Sequence, residues 1–108
     1  MTDTMQFINP LQLEEWRKSG KEHQLIDVRE DYEVQTCSIS GMHIPMAEIT
    51  QRLNDIRQDV PVIIHCKSGR RSEAVVEYLA RHGYSNVFSL NGGIINWIDT
   101  IDPSLERY

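Results

Sequence analysis

The sequence holds only two cysteines, Cys37 and Cys66, and four scattered histidines. A reducing compartment keeps such thiols free, so no structural disulfide is expected. Neither residue type shows the spacing of a zinc site, and no metal is expected. No run approaches the ~20 apolar residues of a membrane-spanning helix. Met1-Thr2-Asp3-Thr4 lacks the basic and apolar parts of a secretory leader. The expected location is therefore the cytoplasm, with no membrane partner. Positive charge is also in deficit: 11 Lys and Arg stand against 16 Asp and Glu, a net charge of −5. That argues against general nucleic-acid binding, which needs a cationic surplus to neutralise phosphates. Repeats, low-complexity runs and Gly/Pro-rich linkers are absent. The 108 residues are expected to form one domain, residues 1–108, able to bury one core and present one site.

What is present is an alternation of short apolar strands and helices. Gln6-Phe7-Ile8 reads as a strand. Asn9-Pro10 reads as an N-cap with proline at the first helical position; Leu13 and Trp16 share a face of that helix, and Gly20 stops it. Residues 24–28 read as a second strand. Residues 30–43 are polar and irregular, with one helical turn near Asp31, and His43-Ile44 is a brief strand before Pro45. Ile49, Leu53 and Ile56 have helical spacing. Residues 60–65, apolar and β-branched, are the strongest strand. Ser72 to His82 is the clearest helix, with Val75, Tyr78 and Leu79 on one side, Glu77 and Arg81 spaced to pair, and Gly83 as its stop. Val87-Phe88-Ser89 is the last strand, Gly92-Gly93 turns into a helix from Ile94 to about Thr100, and the tail from Asp102 reads as loosely held. This alternation predicts an α/β fold with a mostly parallel sheet and helices on both faces. In such folds the site lies beyond the carboxyl ends of the strands, which is where the loop from Cys66 to Arg71 leaves the strongest strand.

The segment His65-Cys66-Lys67-Ser68-Gly69-Arg70-Arg71-Ser72 runs strand, tight loop, helix. Such a loop can turn successive backbone N–H groups inward, with a helix N-terminus behind them, as a cradle for an anion. Cys66 stands at its start, where the helix end and the nearby Lys and Arg favour the reactive thiolate. A thiolate so placed can attack a sulfane sulfur, hold it as Cys–S–S⁻ and yield it to a second nucleophile. The plain alternative is that Cys66 merely fills space at a strand end. It leaves unexplained why the preceding strand, Gly69, the two arginines and the helix start coincide.

Four segments, in order, resemble the rhodanese family. Cys66-Lys-Ser-Gly-Arg-Arg71-Ser72 looks like its active-site loop. Leu25-Ile-Asp27-Val-Arg29-Glu30, Ile39-Ser-Gly41-Met-His-Ile44-Pro45 and Leu90-Asn-Gly92-Gly93-Ile-Ile-Asn-Trp97 look like its flanking signatures. The resemblance implies an α/β fold on a five-stranded sheet. It also implies a thiosulfate sulfurtransferase-type enzyme that moves sulfane sulfur from thiosulfate or a protein persulfide to a thiophilic acceptor. Cys66 would be the catalytic persulfide carrier, and no cofactor beyond that covalent sulfur is implied. Many members have Gly-His where this chain has Cys37-Ser38. The surrounding stretch looks more like rhodanese domains fused to sulfur-carrier-activating enzymes, which points to a sulfur-carrier protein or a cysteine desulfurase as a possible partner.

Related folds carry phosphatases whose loops enclose five residues between Cys and Arg. Here Cys66 and Arg71 enclose four, and the phosphatase arginine position is Ser72. Serine cannot supply the bidentate charged contact that phosphate favours. Lys67, Ser68, Gly69, Arg70 and Arg71 are the expected substrate-binding residues. Arg71 is expected to close the loop and neutralise its anion, while Lys67 and Arg70 steer an anionic donor such as thiosulfate. Asp27, Arg29 and Ser72 are expected to support the site, Asp27 by accepting hydrogen bonds and Arg29 by pairing with an acid such as Glu73. His65 alternates away from the nucleophile and is not expected to act as its base. Trp97 is expected to pack the last helix. Cys37 has two open roles, a plain loop residue or a resolving thiol. Beside the enzyme, two readings stand: a binding module that docks a sulfur carrier or partner enzyme, and a phosphatase-like enzyme.

Overall fold

Five strands, β1 (Phe7–Ile8), β2 (Gln24–Asp27), β3 (Met42–His43), β4 (Val62–His65) and β5 (Val87–Leu90), alternate with helices α1 (Pro10–Ser19), α2 (Asp31–Thr36), α3 (Arg70–Arg81) and α4 (Gly93–Thr100) in a computed structural model. The structure describes residues 5–108; Met1–Thr4, read above for leader features, lie outside them. The strands form one sheet in the order β1-β5-β4-β2-β3, and every neighbouring pair is parallel. All four residues of β4 are buried, as befits a central strand covered on both faces.

Strand alternation sorts the core into two clusters. Ile26, Val28, Val62, Ile64, Cys66 and Val87 pack with Val75, Val76 and Leu79 of α3 and with Ile49 and Ile56. Leu25, Ile63 and Leu90 pack on the other face with Ile8, with Leu13 of α1, and with Ile94, Trp97 and Ile98 of α4. Helix α1 starts where the sequence places it. The Asn9 side chain accepts the Gln12 N–H at 2.8 Å and the Gln12 side chain accepts the Asn9 N–H at 3.0 Å. No helix among the described residues is long and apolar enough to cross a membrane.

Three local expectations are corrected. The helical spacing of Ile49, Leu53 and Ile56 is realised as two 3₁₀ segments, Met46–Gln51 and Leu53–Asp55. Arg52, at φ −123° and ψ 29°, interrupts any continuous helix between them, yet Ile49 and Ile56 still reach the core. Helix α3 begins at Arg70 rather than Ser72, because Gly69 turns the chain straight into it at φ 116°, a left-handed angle that glycine tolerates. The tail is not loose: Ile101, Leu105 and Tyr108 pack against the second cluster.

Candidate active site

Cys66 follows the last residue of β4, and only 1% of it is exposed. Its Sγ accepts the Gly69 N–H at 3.1 Å and the Ser72 N–H at 3.4 Å, with Ser72 Oγ 3.6 Å away. Ser72 braces this arrangement, donating from Oγ to the Gly69 carbonyl at 3.0 Å and meeting Ser89 Oγ at 2.7 Å. Helix α4 holds the outside of the loop. The Ile94 N–H donates to the Cys66 carbonyl at 2.8 Å and the Ile95 N–H to the Lys67 carbonyl at 3.1 Å. With its first two carbonyls drawn towards α4, the loop turns amides at Gly69 and Ser72 onto the sulfur, where the positive end of α3 adds to the field.

Arg71 has an acid partner that the sequence did not suggest. Its two terminal nitrogens hold the Glu33 carboxylate, at 2.7 and 2.9 Å. Glu33 is 3% exposed. The Arg71 hydrogen bonds, with those from the Glu30 backbone and Tyr108, outweigh burial and bring its carboxyl down to about 2. The same pairing raises the Arg71 guanidinium above its ordinary value. The Tyr108 hydroxyl donates to Glu33 Oε2 at 2.7 Å and accepts from Arg29 Nη1 at 2.9 Å. Burial pushes that phenol up to about 12, so it serves here as a neutral donor.

Arg29 is fully buried, and its partner is Asp27, not Glu73. The shape of the turn explains this. The Arg29 N–H donates to Asp27 Oδ1 at 3.0 Å, which folds the guanidinium back onto the same carboxylate at 2.8–3.1 Å. Nη2 also donates to the Cys37 carbonyl at 2.7 Å. Burial pushes the Asp27 carboxyl up, but the hydrogen bonds and charge of Arg29 help to leave it below its ordinary value. His65 lies beside Asp27 in register across β2 and β4, with Nε2 3.8 Å from Oδ2. Burial takes its pKa down to about 4, so the imidazole is neutral. Neither ring nitrogen has a hydrogen-bond partner among the described residues.

The remaining residues fall at the rim or away from the loop. The Lys67 ammonium sits 4.5 Å from the centre of the Tyr108 ring. Ser68 and Arg70 are exposed. Cys37 and Cys66 are both free, and they belong to clusters on opposite faces of the sheet. Trp97 is buried in the second cluster with the Arg17 guanidinium over its ring. Among the described residues, no group of three or more His, Cys, Asp or Glu side chains could hold a metal ion. Sequence reasoning missed Glu33 and Tyr108. Glu33 lies in a stretch of polar residues, and Tyr108 in a tail without periodicity, so neither carried a local signal.

Comparison with known proteins agrees with this geometry. The rhodanese-like domain model matches residues 9–100. Thiosulfate sulfurtransferase GlpE of Pseudomonas aeruginosa is 32% identical over 98 residues, covering 90% of this chain and 87% of GlpE. The probable adenylyltransferase/sulfurtransferase MoeZ of Mycobacterium tuberculosis is 33% identical over 104 residues, covering 94% of this chain but only 26% of MoeZ. The crystal structure of a rhodanese-related protein from Thermoplasma volcanium superposes with a TM-score of 0.78 at 33% identity, covering 87% of this chain and 91% of that one. Fold, loop and relatives agree: the chain belongs to the rhodanese-like domain family.

Proposed function

We propose that the chain is a sulfurtransferase that carries sulfane sulfur on Cys66. The observation that carries this reading is the Cys66 sulfur facing two backbone N–H groups at 3.1 and 3.4 Å, donors that suit a negatively charged sulfur. The Cys66 thiolate attacks the outer sulfur of thiosulfate, the donor's S–S bond breaks, and sulfite leaves with the bonding pair. The new Cys66–S–S⁻ keeps one negative charge in the cradle. A thiophilic acceptor such as cyanide then takes the outer sulfur and returns the thiolate, so the cycle needs no further cofactor. Gly69 and Ser72 supply the inward amides, Lys67 and Arg70 bring cationic charge to the rim, and Arg71 fixes the helix start through Glu33.

The exchange partner proposed here is a sulfur-carrier protein or a cysteine desulfurase, as the family resemblance implies; the MoeZ relative is itself a probable adenylyltransferase/sulfurtransferase. A phosphatase reading is disfavoured by the four-residue enclosure and by Arg71 being committed to Glu33. Incubation with thiosulfate should add one sulfur to the intact mass, removable by cyanide or dithiothreitol, and Cys66→Ser should take up none. Full transfer activity in Cys66→Ser would overturn the proposal.

A further inference from the structure

Four cationic side chains lie at or beside the loop, and two are neutralised. Arg29 is paired with Asp27, and Arg71 with Glu33. Arg70 and Lys67 keep their charge, and Arg70 is exposed, with no side-chain partner among the described residues. Lys67 differs. Its carbonyl is fixed by Ile95, and its ammonium rests 4.5 Å from the Tyr108 ring centre. That ring is itself immobilised, because its hydroxyl bridges Glu33 and Arg29, both buried. A lysine left to solvent spreads its charge over many rotamers. A lysine seated on an aromatic face keeps it in one place. Tyr108 also lies beyond residues 9–100, the span that carries the family pattern.

We infer that Tyr108 is a positioning residue for donor entry: its ring holds the Lys67 ammonium beside the Cys66 loop and thereby favours negatively charged reagents at the sulfur. The inference rests on Cys66 being the reacting thiol, as proposed above, and names the residue that tunes which donors reach it.

The test is the rate at which Cys66 in the full chain is alkylated by iodoacetate, an anion, relative to iodoacetamide, its neutral analogue. The rates are read on the Cys66 peptide by mass spectrometry at low ionic strength. Tyr108→Ala should lower the iodoacetate-to-iodoacetamide ratio by roughly two- to fivefold, the range expected for an exposed cation–π contact. Tyr108→Phe keeps the aromatic face but loses the hydroxyl that fixes it between Glu33 and Arg29, so its ratio should fall between those of wild type and Tyr108→Ala. Lys67→Gln should lower the ratio at least as far as Tyr108→Ala, and the double variant no further than Lys67→Gln alone. General loosening of the tail would change both rates together and leave the ratio intact. An unchanged ratio in Tyr108→Ala overturns the inference, and so do additive losses in the double variant. Should Tyr108→Ala fail to fold, an unchanged ratio in Lys67→Gln overturns it equally. Failure of thiosulfate to load the wild type would sink the sulfurtransferase reading while leaving the alkylation ratio to decide on Tyr108.

Discussion

Gly93→Ala should be among the most damaging single-atom additions to this chain. Gly93 sits at φ +64°, and a Cβ there would lie 2.5 Å from the Lys67 carbonyl carbon and 2.7 Å from the Cys66 oxygen, and closer still to the Lys67 oxygen. These are main-chain atoms held by the Ile94 and Ile95 N–H groups, so no rotamer change can relieve the contact. The methyl must separate α4 from the loop. Two hydrogen bonds at about 1 kcal/mol each, plus about 1–2 kcal/mol for an L-residue in the left-handed region, give a loss of roughly 3–4 kcal/mol. Gly83→Ala is the matched control. Its φ is +94°, but an added Cβ meets nothing within 4 Å, so it should cost only the backbone part, about 1–2 kcal/mol. Urea denaturation of both variants measures the difference, provided the m-value is unchanged. Alkylation of Cys66 supplies a second reading, since a displaced loop no longer aims its amides at the sulfur. If Gly93→Ala costs no more than Gly83→Ala, the argument that α4 fixes the loop by direct contact is wrong.

Acid should weaken the fold through Glu33. Its carboxyl drops from 4.5 to about 2 on folding, so its contribution is complete above its ordinary pKa and is lost as the pH falls towards 2. The full contribution is about 3 kcal/mol. Chemical denaturation at pH 7 and pH 3 should show a smaller difference for Glu33→Gln than for wild type, and equal differences would refute the assignment. Some acid sensitivity should survive in that variant, because Asp27 is also lowered and His65, at about 4, must gain a proton on unfolding. Arg29→Ala strands the Asp27 carboxylate in the interior and should cost about 3–5 kcal/mol by the same measurement, the usual penalty for removing one partner of a buried pair. A loss under 1 kcal/mol would show that water takes over the role of the guanidinium.

The strands, their parallel sense and the position of the Cys66 loop at the end of β4 were legible because each rests on local information: β-branched runs, caps and the Cys-to-Ser spacing. What was not legible depends on partners distant in sequence. Arg71 reads locally as a cation beside an anion cradle, but Glu33, 38 positions earlier, claims it. Arg29 reads locally as a cation free to reach a distant acid, but the nearer Asp27 holds it because the Arg29 backbone N–H already bonds that carboxylate. The 3₁₀ geometry of residues 46–55 escaped because the spacing of Ile49 and Ile56 describes which side is buried, not how tightly the backbone winds. Tyr108 escaped because a single aromatic has no period.

The strand order sets a timetable for folding. β1 pairs only with β5, Phe7 against Ser89, so the strand made first waits for the strand made last. Parallel pairings between distant segments form late, after the chain entropy of closing them has been overcome. The Cys66 loop is in the same position, since its carbonyls depend on residues 94 and 95. A nascent chain that has emerged only as far as β4 therefore lacks the contacts that shape the loop around Cys66, and these are made as a closing step of synthesis.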